Sequence, residues 1–171
     1  KNLKIGIFGK SGSGKSTLID LIVGLKNPTS GKIVLDNNMI LDERYPNWIS
    51  KIAYVSQRTY IFNTSLRNNI TLVSDDKIID QNKFQKILEI LDLKEFVQEK
   101  KEKEFYLAGE FGNHLSGGQR QKIGLARAIY SDRPIIILDE STNSLDDESE
   151  INIINQVKKF ENKTILFITH N

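Results

Sequence analysis

Short apolar runs alternate with amphipathic stretches along most of this chain. Ile5-Gly6-Ile7-Phe8, Lys51-Ile52-Ala53-Tyr54-Val55, Ile135-Ile136-Ile137-Leu138 and Thr164-Ile165-Leu166-Phe167-Ile168 are nearly continuous in hydrophobicity and short, which predicts buried strands. Gly31-Lys32-Ile33-Val34-Leu35 followed by Asp36-Asn37-Asn38 predicts a strand running into a turn. Between them the period lengthens. A helix is expected from Lys15, with Leu18, Leu21, Ile22 and Leu25 on one face, ended by Gly24 and Asn27-Pro28. The stretch 75–104 is helical in pattern, with Ile87, Leu88, Leu91 and Phe96 as its apolar positions, and its charged run Lys94 to Glu104 reads as a solvated face. Gln119 to Tyr130 and Asp147 to Phe160 read as two further helices. Strands alternating with helices predict an α/β fold with a mostly parallel sheet covered on both faces. Residues 75–130 break the alternation and read as an all-helical insert, which leaves 1–74 and 131–171 as the α/β core of a single domain.

Composition narrows the picture modestly. At 171 residues and 39% hydrophobic, the chain can bury the core of one domain. Lys and Arg number 24 against 22 Asp and Glu, so no charge imbalance argues for nucleic acid or an anionic membrane surface. The absence of cysteine excludes disulfides and thiolate metal sites. No apolar run reaches the roughly 20 residues that span a bilayer.

Chemistry concentrates at a few strand and helix ends. Gly9-Lys10-Ser11-Gly12-Ser13-Gly14-Lys15-Ser16 has the spacing of a phosphate-binding loop, and Thr17 continues it into the helix. Such a loop needs glycines because its backbone must close around an anion, and side chains at Gly12 or Gly14 would block the approach. The following helix adds its positive dipole end, Lys15 is suited to the β- and γ-phosphates, and the Ser16 hydroxyl is suited to Mg²⁺. Asp139 and Glu140 close four apolar residues, where α/β folds place ligand-binding groups. Asp139 is the candidate for holding Mg²⁺, and Glu140 for activating water. Ser116-Gly117-Gly118-Gln119 at a helix start offers a second anion cradle, from the serine, the glycine N–H groups and the helix dipole. Taken alone, Gln57 and His170 would be polar residues at strand ends, and His114 a loop residue.

The order phosphate loop, Leu115-Ser116-Gly117-Gly118-Gln119, then Ile135-Ile136-Ile137-Leu138-Asp139-Glu140 resembles the ATP-binding cassette (ABC) ATPase family, with Arg120-Gln121 and Leu125-Ala126-Arg127-Ala128 strengthening the match. The resemblance runs from Ile5 to His170 and implies a P-loop NTPase fold with a helical signature subdomain, using ATP and Mg²⁺. It implies that Gln57 is the Q-loop glutamine, touching Mg²⁺ and the attacking water, and that His170 is the switch histidine donating to the γ-phosphate. It implies that the Ser116 cradle faces ATP held by a second nucleotide-binding domain, in a head-to-tail homodimer that Leu145-Asp146 helps to form. The usual Ala-Thr-Ser-Ala before that pair is Ser141-Thr142-Asn143-Ser144 here, which is expected to tune interface hydrogen bonds. Tyr60 to Ile70 and Gly109-Glu110-Phe111-Gly112 resemble exporter segments that meet the transmembrane partner, although Asn68 stands where exporters usually carry Glu. The family reading therefore expects an exporter, with lipid and oligosaccharide flippases favoured, at the cytoplasmic face of the inner membrane. Membrane contact would come only through the transmembrane partner, of the same polypeptide or complex. Against the family's layout both ends of the chain read as cut. Importers, translation factors and chromosome-repair ATPases are the alternatives. The spacing from Gln57 to the signature leaves no room for the long coiled coil of the last, and one cassette speaks against the translation factors.

Overall fold

The computed structural model describes residues 2–10, 12–35, 38–39, 45–139 and 147–169. Its centre is a parallel sheet of β1 (Lys4–Phe8), β4 (Ile52–Val55), β5 (Ile135–Asp139) and β6 (Thr164–Thr169), in the order β1-β6-β5-β4. The register pairs Phe8 with Thr169, Asp139 with Ile168 and Val55 with Leu138. All four strands therefore end together, and the segments that follow them leave from one edge. β2 (Val34–Leu35) and β3 (Asn38–Met39) form a separate two-residue antiparallel pair, shorter than the strand expected from Gly31.

Strands β4, β5 and β6 are covered on both faces by apolar side chains of alternating parity, whereas the edge strand β1 leaves Ile5 and Phe8 39% and 68% exposed. On one face Ile52, Ile137 and Ile168 pack with Ile19 and Val23 of the segment begun by α1 (Lys15–Ile22), joined by Trp48 of α2 (Tyr45–Ile49). On the other face Ala53, Val55, Ile136, Leu138 and Ile165 join the helical layer and α7 (Asp147–Lys158). The buried face of α1 differs from the expected one. Lys15, Ile19 and Val23 point inward, whereas Leu18 and Leu25 are 46% and 68% exposed. Helix α1 stops at Ile22, and Gly24 at φ +82° lets the Leu25 and Lys26 amides turn back onto the Asp20 carbonyl.

Between β4 and β5 the chain is mainly helical: α3 (Leu66–Thr71), α4 (Gln81–Ile90), α5 (Lys94–Glu99) and α6 (Gly117–Tyr130). The expected long helix over 75–104 is broken. Asp80 caps α4 by accepting from the Lys83 amide, and Asp92 at φ +51° reverses the chain after Leu91. Leu91 and Leu93 both reach the core across that break, together with Val97. Short α3, absent from the sequence reading, starts at Ser65, whose hydroxyl accepts from the Asn68 amide.

Candidate nucleotide site at the carboxyl edge of the sheet

The phosphate loop follows β1 and opens α1. Gly12 and Gly14 have φ +78° and +90°, with open space where a Cβ would stand. Any other residue at these two positions would be strained. Lys15 is folded over the loop, its ammonium donating to the Gly9 carbonyl (2.6 Å) and the Lys10 carbonyl (3.1 Å). A buried cation that donates to the loop's own carbonyls, at a helix start with no side-chain cap, suits an anionic ligand. Ser13 continues the loop, and Ser16 and Thr17 lie exposed in the first turn of α1. Ser11 lies outside the described residues.

The acidic strand end reaches the same edge through β5. Asp139 is 7% exposed, and its Oδ2 accepts a 2.9 Å hydrogen bond from the Tyr54 hydroxyl. Burial, then the hydrogen bond and charge of Asp139, push the Tyr54 pKa well above the usual phenol range, so Tyr54 stays a donor. Gln57 lies exposed in the bend after β4, on the same edge. Glu140 and the 141–146 segment lie outside the described residues, as does His170, whose predecessor Thr169 pairs with Phe8. The sheet thus brings the loop, Asp139 and Gln57 to one edge.

The signature forms a second centre at the start of α6. Ser116 is its N-cap: the Ser116 hydroxyl accepts from the Gln119 amide (3.1 Å), and the Gln119 Oε1 accepts from the Ser116 amide (2.8 Å). This reciprocal pair is a capping box. Gln119 therefore locks the helix start, a role readable from the Ser-x-x-Gln spacing but not drawn from it. Ser116 is exposed, while Gly117 and Gly118 are partly covered in the first turn. Arg120 ties the preceding loop down by donating to the Leu115 carbonyl (2.7 Å) and the Gly112 carbonyl (3.3 Å). His114 stays in the loop, against the Leu107 carbonyl.

Sequence reasoning missed two organisers of the segment after Gln57. Asn69 is fully buried, and its side chain bonds the backbone of Phe62, Thr64 and Ser65. Arg127 of α6 donates to the Asn69 carbonyl (2.9 Å) and the Tyr60 carbonyl (3.1 Å), and its guanidinium lies 5.5 Å from the Phe62 ring. Burial lowers the Arg127 pKa, yet a guanidinium remains charged. Together they present an exposed trio, with Tyr60 edge-on to Phe62 (5.0 Å) and to Phe111 (5.9 Å). Beside it a cavity of about 290 Å³ opens between β4 and α6, lined by Thr59, Tyr60, Leu72, Gly124 and Arg127 among others. No described helix is long and apolar enough to cross a membrane.

Comparison with known proteins agrees with this geometry. The family model described as "ABC transporter" matches residues 1–143. The chain belongs to the ABC transporter family. It is 39% identical over 167 residues to the ATP-dependent lipid A-core flippase of Aliivibrio fischeri, covering 97% of this chain and 28% of that protein. The flippase of the same name from Wigglesworthia glossinidia brevipalpis is 38% identical, with 97% and 29% covered. A bacterial Atm1-family ABC exporter solved with ATP bound superposes with a TM-score of 0.90 at 25% identity, over 98% of this chain and 30% of the exporter chain. The present chain thus spans under a third of these relatives and has the fold of the ATP-binding ATPase domain of an ABC exporter.

Proposed function

We propose that this chain binds Mg²⁺-ATP between its phosphate loop and the signature helix of a second nucleotide-binding domain, and that hydrolysis there drives a transmembrane partner to export or flip a lipid, oligosaccharide or peptide. The observation that carries this reading is the shared strand edge, where β1 delivers the described residues of the phosphate loop, β5 delivers Asp139 and β4 delivers Gln57. Flippase names among the relatives favour a lipid cargo.

In this account residues 1–74 and 131–171 form the catalytic core, and 75–130 the signature subdomain. Lys15 exchanges the two loop carbonyls for phosphate oxygens, a charge-assisted contact of about 1.5–3 kcal/mol. Ser16, Asp139 and Gln57 hold Mg²⁺, which neutralises phosphate charge when bound. Glu140 takes a proton from the attacking water, and His170 donates to the γ-phosphate. From the opposite subunit, Ser116 and the Gly117 and Gly118 amides complete the cradle. The trio Tyr60, Phe62 and Phe111, the neighbouring cavity and exposed Glu110 form the surface offered to the transmembrane partner, and the domain works at the cytoplasmic face of the membrane.

Ser116→Arg tests the shared site. The cap loss costs α6 about 1 kcal/mol, and the added cation fills the cradle. ATP binding should persist while ATP-driven dimerisation, followed by light scattering in a Glu140→Gln background, should disappear. A Ser116→Arg protein that dimerises normally contradicts the head-to-tail site.

A further inference from the structure

We propose that Tyr54 is a positioning residue for the metal-binding carboxylate: its hydroxyl fixes one oxygen of Asp139 so that the other is presented to Mg²⁺. This rests on the reading of Asp139 as a metal ligand. Strand register brings the two residues together. Tyr54 on β4 pairs with Ile137 on β5, and Asp139 is two residues further along, on the same face of the sheet. A tyrosine is long enough to span that offset along the strand direction, and here its hydroxyl meets Asp139 Oδ2 at 2.9 Å.

The ring is held independently of that bond. It packs with Ile7, Ile22, Ile135 and Trp48 against the Ile19–Ile137 cluster, and Trp48 is itself fixed by donating to the Ile22 carbonyl (2.7 Å). Burial of Asp139 makes the donor matter, because a carboxylate at 7% exposure has little water to orient it. Donors to metal-ligating groups fix their rotamer, and their loss typically weakens metal binding by 10–100-fold. A phenylalanine at position 54 would preserve the packing and remove only this donor. The strand pattern gives no hint of the role, since Tyr54 reads there as one more core residue of β4.

Tyr54→Phe and Asp139→Asn in the full-length protein test the inference. Mn²⁺ affinity is measured by the EPR signal of free Mn²⁺, at saturating non-hydrolysable ATP analogue, and analogue affinity is measured separately in EDTA. Tyr54→Phe is expected to weaken Mn²⁺ binding about tenfold, with analogue affinity in EDTA unchanged. If Asp139→Asn weakens Mn²⁺ binding but Tyr54→Phe does not, the positioning role is wrong and the metal assignment stands. If neither variant weakens it, the metal assignment falls, and this inference with it. A Tyr54→Phe protein whose analogue affinity in EDTA drops as much as its Mn²⁺ affinity shows a merely structural tyrosine and overturns the proposal.

Discussion

Replacing Asn69 by leucine keeps the branching and heavy-atom count of the side chain and removes the hydrogen bonds that this side chain makes to Phe62, Thr64 and Ser65. The cost follows from asking which partners lose their last hydrogen bond. The Phe62 carbonyl still accepts from the Thr64 amide (2.8 Å), the Thr64 carbonyl from the Ala108 amide (3.0 Å), and the Ser65 carbonyl from the Asn69 amide (2.9 Å). The Phe62 amide loses its 2.9 Å acceptor, Asn69 Oδ1, and Arg127 Nη2 loses its 3.4 Å bond to the same oxygen, on a guanidinium still held through its other nitrogens. One stranded N–H costs about 1–3 kcal/mol. The weakened carbonyls add a smaller amount, partly offset by the new apolar surface. A net loss of about 2–3 kcal/mol moves a urea midpoint down by roughly 1 M, at a slope of about 2 kcal/mol/M. The assay is urea unfolding followed by circular dichroism, with hydrogen exchange at the Phe62 amide as the local readout. An unchanged midpoint together with retained protection at Phe62 would refute the reasoning, because then Asn69 does not hold the turn.

Two smaller perturbations probe other parts of the account. Lys15→Ala should weaken ATP binding by about tenfold or more, from the charge-assisted contact estimated above, and unchanged affinity in an ATP titration with Mg²⁺ counts against the loop assignment. Asp132 accepts from Lys163 (2.7 Å), which holds its carboxyl below the usual range. A depressed carboxyl pKa stabilises the fold at neutral pH, and the contribution is lost as pH falls through the folded-state pKa, below about 4. Because Asp132 is mostly exposed, Asp132→Asn should lower stability by only about 0.5 kcal/mol at pH 7. The gap should close as pH falls through the lowered folded-state pKa, and thermal unfolding followed from neutral to strongly acidic pH checks it.

The parallel sheet was legible because each of its strands is a short apolar run that ends where a polar motif begins, as at Phe8-Gly9 and Leu138-Asp139. The helices were harder. On α1, Leu18 and Leu25 made a persuasive apolar face, but the sheet takes the stripe of Lys15, Ile19 and Val23, including a lysine that hydropathy would place outside. In 75–104 the pattern runs through a break, because Leu91-Asp92-Leu93 keeps both leucines inward while the backbone reverses at Asp92. Helix α3 has only Leu66, Ile70 and its Ser65 cap to announce it, too little periodicity in six residues. At the site, the phosphate loop, Asp139 and the signature were readable as local motifs. The Tyr54–Asp139 bond and the Asn69–Arg127 brace were not, since each joins residues far apart in sequence that only register and helix packing bring together.

The measurement closest to the central claim is phosphate release by the full-length protein carrying Glu140→Gln, with oligomeric state followed in parallel. Removing the base while keeping the side-chain shape should slow hydrolysis by about 10²–10⁴-fold. Nucleotide should still bind, so the protein should accumulate as an ATP-bound dimer. Near-normal phosphate release from a Glu140→Gln protein that still dimerises would contradict Glu140 as the base and the hydrolysis step built on it.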